Sequence, residues 1–133
     1  IGAQMDFWKV AMRPGKPLMA GKIGNALVLG LPGNPSSAFV TAFLFLLPII
    51  RHMAGSPSPL PVLFEAAAAS DLPAGGDRAE YMRASVEGGH ITPLMVQDSG
   101  LTRTLSQSNA LLIQPPNVPP RSKGTMVQYM RLA

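Results

Sequence analysis

Three cations at short spacing, Lys9, Arg13 and Lys16 in "FWKVAMRPGKP", stand ahead of a second stretch, "GLPGNPSSAFVTAFLF", that begins at Gly30. The chemistry both stretches favour is capture of an anion. Asn34 is a preferred N-cap and Pro35 suits the first helical position, where a missing N–H costs nothing. Behind that cap the N–H groups of Ser36 and Ser37 lack an intrahelical acceptor, and the helix macrodipole adds about half a positive charge at that end. Pro32, Gly33 and Pro35 shape the turn, while Asn34, Ser36 and Ser37 offer donors. A tetrahedral oxyanion presents only acceptors, so its site needs lysine, arginine, hydroxyl and N–H groups and avoids carboxylates. No Asp or Glu occurs from Phe7 to Phe64. From spacing alone a plainer reading stands beside this one: three solvated surface cations and an ordinary capped helix.

Composition narrows the alternatives. With no cysteine among 133 residues, disulfides, thiolate nucleophiles and cysteine-ligated metals are excluded. His52 reads as a solvated residue of a last helical turn and His90 as a hairpin-tip residue, a poor basis for a metal site. The formal charge is +4, and Lys9, Arg13, Lys16 and Lys22 against Asp6 place +3 of it in residues 1 to 34. That cluster points to a small anionic ligand. Nucleic acid is not expected, because a broad basic stripe with interleaved aromatics is missing. Paired catalytic carboxylates, a Ser-His-Asp set and a nucleophile elbow are absent too, so any catalysis works by positioning and electrostatics. The apolar run Ala38 to Ile50 is shorter than the roughly 20 residues a bilayer requires and contains Pro48, and the first residues do not resemble a signal peptide. A cytoplasmic protein without membrane association is the expectation.

The elements that position these residues follow from pattern. "FWKVAM" alternates as a strand, "RPGKP" breaks it, and "ALVLG" (Ala26 to Gly30) reads as a short apolar strand of the kind buried in a parallel sheet. A core helix runs from about Ser36 to Met53, with Gly55 as its C′ residue. "GSPSPLP" is a stiff linker. Beyond it "PVLFEA", "AEYMRASVE", "HITPLMV", "NALLIQP" and "TMVQYMRL" are short strands separated by turns, which indicates a small all-β barrel or sandwich. "AAAA" at 66 to 69 suits a helix by propensity, but its Pro and Gly surroundings make it strand end and loop.

"FWKVAMRPGKP", "GLPGNPSSA", the "R-x-E-Y-x-R-A" segment, "QDSGLTRTLSQSNALL" and the closing "KGTMVQYMRL" together resemble the C-terminal third of the molybdopterin molybdenumtransferases. These enzymes insert molybdate into adenylylated molybdopterin in molybdenum cofactor synthesis, and the C-terminal domain of gephyrin is a relative. The resemblance spans nearly all of the sequence. It implies an α/β fragment in residues 1–55, the end of a molybdopterin-binding (MoCF-type) sheet with one core helix, followed by a small all-β barrel-like domain in residues 60–133. The family's pterin- and metal-contacting segment is expected to lie outside these residues, so magnesium is implied as a cofactor without ligands here.

The resemblance also implies roles. Arg13 and Lys16 match the catalytic cations of the family's "K-x-x-x-[KR]-P-G-K-P" stretch, with Lys9 as a further substrate contact; Arg13 stands where many relatives have lysine. Pro32, Gly33, Asn34, Pro35, Ser36 and Ser37 become the oxyanion or pterin-phosphate turn. Arg78 or Arg83, flanking Glu80, and Ser99 in "QDSG" become oxyanion contacts from the β domain, against a structural ion pair between Glu80 and an arginine. Asp77 stands where the family commonly has glycine. A homodimer is implied, its cleft shared between subunits. Two rival readings remain: a gephyrin-like peptide-tethering scaffold, and a generic phosphate- or nucleotide-binding α/β domain.

Overall fold

The computed structural model describes residues 3–8, 12–13, 18–94 and 107–132. The first part is a three-stranded antiparallel sheet in the order β1 (Ala3–Trp8), β3 (Leu18–Ile23), β4 (Ala26–Gly30). β3 and β4 form a hairpin across Gly24 and Asn25, with Ile23 opposite Ala26. "ALVLG" is therefore a strand with the expected bounds, but the parallel-sheet reading of it is corrected. Its described partner is antiparallel, and Ala26 and Leu27 are exposed. An unbroken apolar run does not report strand direction, and β4 follows β3 through a two-residue turn that permits only an antiparallel pair.

The helical segment begins at Pro35, as the N-cap reading requires, and continues to Met53 in three pieces. These are α1 (Pro35–Thr41), a π-helical turn (Ala42–Leu46) and α2 (Leu47–Met53). The π turn has a cause in the sequence. Pro48 has no N–H and its ring would meet the carbonyl of Leu44 in a regular α-helix. One widened turn, closed by the Leu47 N–H on the Ala42 carbonyl, relieves that conflict. The helix ends in a Schellman arrangement: Gly55, at φ 85°, gives its N–H to His52 O (3.0 Å), and Ser56 N–H reaches Arg51 O (2.9 Å). Val40 and Thr41 are buried, but Phe39, Ile50 and Met53 are exposed, and an apolar groove runs along Phe39, Phe43, Leu47 and Ile50.

After the proline linker, β5 (Leu63–Ala68), β6 (Ala79–Glu87), β7 (His90–Pro93), β8 (Ala110–Gln114) and β9 (Met126–Arg131) close into a barrel. The order is β6-β7-β5-β9-β8, with β8 returning to β6. All five expected strands are present. β6 and β7 meet in a tight turn whose Gly88 and Gly89 both have positive φ, the geometry that a two-residue hairpin with Glu87 opposite His90 demands. Inside, Ala66, Ala68, Ala84 and Ala110 pack with Leu72, Ile91, Leu112, Val127 and Tyr129. A five-stranded barrel has a narrow interior, and small residues on β5, β6 and β8 let it close. This explains why "AAAA" is strand: Ala66 and Ala68 point inward and are almost fully buried.

The loop after β5 is clasped to the proline-rich loop after β8. Leu72 and Arg121 exchange backbone bonds, Gly75 N–H reaches Val118 O (2.8 Å), Asn117 N–H reaches Gly76 O (2.7 Å), and Lys123 N–H reaches Asp71 Oδ1 (2.8 Å).

Candidate oxyanion site

Strand register decides where the cationic stretch lies. Trp8 and Leu18 are partners at one end of the β1–β3 pair, and the connection carrying Lys9, Arg13 and Lys16 leaves from the first and returns to the second. Met19, the next residue, is opposite Gly30, where the "GLPGNP" turn begins. Neighbouring strands are about 4.8 Å apart. The two segments therefore issue from the same end of one small sheet.

Within the connection, Met12 and Arg13 form a short strand, β2 (Met12–Arg13), which pairs parallel with β6: Met12 opposite Ala79, Arg13 opposite Glu80. This brings the backbone of Arg13 beside the "DRAEYMRA" segment, a juxtaposition that nothing in the sequence pattern announces. Lys9, Lys16 and Ser99 lie outside the described residues.

At the helix start, Ser37 N–H donates to Asn34 Oδ1 (3.4 Å) and Ala38 N–H to Asn34 O (2.8 Å), so the Asn34 cap is made. The cap takes the Ser37 N–H, one of the two that the sequence offers to an anion. Thr41 Oγ1 donates to Ser37 O (2.7 Å). Pro32 is buried, Asn34 and Ser37 are half-buried, and Gly33 and Pro35 are exposed; Ser36 is within α1. A Cβ added at Gly33 would meet nothing within 4 Å, so this part of the turn is open to a ligand.

The two β6 arginines differ. Arg78 is half-exposed and lies 3.9 Å from Asp77, its neighbour in sequence. Asp77 thus contacts one candidate. Arg83 is 4% exposed although it is on the outer face of the barrel, with Leu111 as its cross-strand partner. A nearly dry guanidinium interacts with charge more strongly than a solvated one. The residue after Pro93 is tied to this point: Leu94 N–H bonds Arg83 O (3.0 Å).

Sequence reasoning missed a polar cluster beside the start of β6, where Gln114 is opposite Glu80, the residue that pairs with Arg13. Gln114, 2% exposed, donates from Nε2 to Pro73 O (3.2 Å) and accepts from Arg121 Nη2 (3.4 Å). Burial holds the Arg121 pKa below the usual arginine value, and its Nε is buried without a hydrogen-bond partner. The signal was faint, a lone arginine between prolines and serine. Among the described residues no three His, Cys, Asp or Glu come together to hold a metal, so they do not fit a magnesium site.

By class, the chain is a cation-rich α/β segment with one helix continued into a closed five-stranded barrel. Residues 65–132 match the family described as "MoeA C-terminal region (domain IV)", and residues 1–52 match "Probable molybdopterin binding domain". The chain is 41% identical over 81 residues to the molybdopterin molybdenumtransferase of Haemophilus influenzae, covering 60% of this chain and 20% of that protein. To the enzyme of the same name from Bacillus subtilis it is 33% identical over 134 residues, covering 98% of this chain and 31% of the relative. A molybdopterin biosynthesis MoeA protein from Pyrococcus horikosii shares the fold, with a TM-score of 0.78 at 23% identity over 92% of this chain and 30% of that one. The chain belongs to the MoeA family, and it spans less than a third of the length of these relatives.

Proposed function

We propose that this chain is the C-terminal part of an enzyme of molybdenum cofactor biosynthesis that inserts molybdate into adenylylated molybdopterin, with residues 1–55 ending its molybdopterin-binding domain and residues 60–133 forming its last domain. One observation carries the reading. The register of β1, β3 and β4 gathers the "RPGKP" connection and the "PGNPSS" turn at one sheet end, and β2 ties that connection to the arginine-bearing strand β6.

The chemistry of the donor set suits molybdate. Lys9, Arg13 and Lys16 neutralise charge, the helix-start turn adds donors, and Arg83 with Ser99 completes the set from the barrel side. A dianion held by cations and N–H groups in a carboxylate-free stretch is oriented for displacement of two of its oxo ligands by the two dithiolene sulfurs, each oxo leaving as water with one proton from the displacing thiol and one from solvent, while hydrolysis of the phosphoanhydride releases the adenylyl group as adenylate. The protein's part is alignment and electrostatic support. In the whole enzyme the chain acts in a homodimer in the cytoplasm, with magnesium held by residues other than those described.

The test is calorimetry in a phosphate-free buffer. Molybdate binds the chain and binding weakens as salt rises. Arg13→Ala combined with Lys16→Ala removes it while the circular dichroism spectrum persists. Unchanged binding in the double variant refutes the assignment, and ATP binding that molybdate does not displace favours a nucleotide-binding domain instead.

A further inference from the structure

The two mouths of the barrel are finished differently. At one, where β8 ends and β9 begins, the 69–76 and 115–124 loops are clasped together, and Leu72 and Gln114 beneath them are buried. At the other, where β8 begins and β9 ends, a cavity of about 290 Å³ is lined, among the described residues, by Val86, Asn109, Tyr129 and Arg131. Strand alternation puts three of these on inward positions: Val86 follows buried Ala84 at an interval of two, and Tyr129 and Arg131 follow buried Val127 in the same way. Barrel mouths are frequent ligand sites.

The walls of this cavity are already fixed. Val86 N–H donates to Asn109 Oδ1 (2.8 Å) and Asn109 Nδ2 donates to Val86 O (3.0 Å), which holds the carboxamide flat against β6. Arg131 is opposite Ala110 in the ladder, and the next residue, Leu132, gives its N–H to Asn109 O (3.0 Å). At the exposed rim the Arg131 guanidinium lies 4.4 Å from the centre of the Phe64 ring, which in turn stacks on Tyr129 at 5.6 Å. Two donor groups are nevertheless left over. Tyr129 is 4% exposed, and its hydroxyl has no hydrogen-bond partner among the described residues. The Arg131 guanidinium has no hydrogen bond or ion pair among them either. A buried hydroxyl without an acceptor is costly, and a guanidinium stacked on a ring presents its fork of N–H groups in a set plane, the geometry that matches a carboxylate. The described lining contains no acidic residue to compete. A cavity of roughly 150 Å³ takes benzene, so this one has room for a single ring with its carboxylate. We infer that the open mouth of the barrel binds a small aromatic carboxylate, its oxygens on Arg131 and the Tyr129 hydroxyl and its ring against Val86. The site shares no residue with the proposed oxyanion site and does not depend on it.

The experiment titrates the chain with benzoate and follows amide chemical shifts. Benzoate is expected to bind with a Kd on the order of 1 mM. It moves the signals of Val86, Asn109 and Leu132 and leaves those of Leu72 and Lys123, at the clasped mouth, in place. Tyr129→Phe, which removes only the hydroxyl, weakens benzoate about fivefold, and Arg131→Gln weakens it by about tenfold or more. Lys123→Gln removes the same charge at the clasped mouth and leaves affinity unchanged. Benzamide, which has the ring without the charge, binds about tenfold more weakly. Absence of benzoate binding, shifts centred elsewhere, equal affinity in Tyr129→Phe or Arg131→Gln, equal loss in Lys123→Gln and Arg131→Gln, or equal binding of benzamide overturns the site. Displacement of benzoate by molybdate also overturns it, because the benzoate would then occupy the oxyanion site. Should Tyr129→Phe not fold, Arg131→Gln and the shift map of the unaltered chain decide.

Discussion

Gly75 and Gly76 stand side by side in "PAGGD", and the fold assigns them opposite responses to the same substitution. A Cβ at Gly75 would sit 2.7 Å from the Pro115 carbonyl oxygen, 3.0 Å from Val118 Cγ1 and 3.3 Å from Val118 N; at Gly76 it would meet nothing within 4 Å. Neither glycine has positive φ. Alanine at either position narrows the unfolded ensemble, which stabilises by about 0.4–1 kcal/mol. At Gly75 that gain is overwhelmed. Two of the three contacts are main-chain atoms of the opposing loop, so relief requires the clasp to part, at an overpacking cost of about 1–3 kcal/mol. Weakening Gly75 N–H to Val118 O and Asn117 N–H to Gly76 O adds about 1 kcal/mol. The net is roughly 2 kcal/mol of destabilisation, or a melting temperature lower by about 6–10 °C for a chain of this size. Gly76→Ala raises it by about 1–5 °C on the same scale. Thermal melts followed by circular dichroism test the pair. Equal shifts in the two variants, or a more stable Gly75→Ala, would refute the close approach of the two loops.

Limited proteolysis with a broad-specificity enzyme should cut first between residues 53 and 62, where Met53, Leu60 and Val62 are exposed around Pro57, Pro59 and Pro61; first cleavage within residues 39–50 would contradict the reading of this segment as a linker between two domains. The resemblance implies a cleft shared between subunits, whereas β2 brings the cationic connection to β6 of the same chain; if that pairing builds the site within one chain, mixing an inactive Lys16→Ala subunit with an inactive Arg83→Ala subunit of the whole enzyme restores no activity. Recovered turnover after confirmed subunit exchange would show that the site is shared between subunits.

What the sequence disclosed and what it withheld follow a physical line. Strand β4 and strand β6 have the bounds read from "ALVLG" and "AEYMRASVE", because local pattern sets where a strand starts and stops. The Asn34 cap and Gly55 terminus were legible for the same reason: each acts over three or four residues. Strand β3, "LMAGKI", was not, since a glycine and weak alternation hide a segment that exists through its partners on both sides. The pairing of Arg13 with Glu80 and the side-chain bonds of Asn109 to Val86 depend on residues tens of positions away, whereas β4 pairs antiparallel through a two-residue turn with β3, the strand that the pattern hid. The same holds for the candidate site. Residue types and charge pointed to an oxyanion, whereas the burial of Arg83 and the Asp77 contact of Arg78 belong to tertiary packing.

Leu63 and Met130 are register partners on adjoining strands, so the polypeptide comes into the barrel and goes out of it at nearly the same point. A domain whose ends meet can be carried as a cassette, and its gene segment can be moved, duplicated or placed within a loop of another protein without stretching either flank. The chain order of the barrel is equally negotiable. Joining residue 132 to residue 63 through a short linker and opening the Gly88–Gly89 turn would keep the pairings β6–β8, β8–β9 and β9–β5 unbroken, leaving only β6 and β7 to find each other without their hairpin.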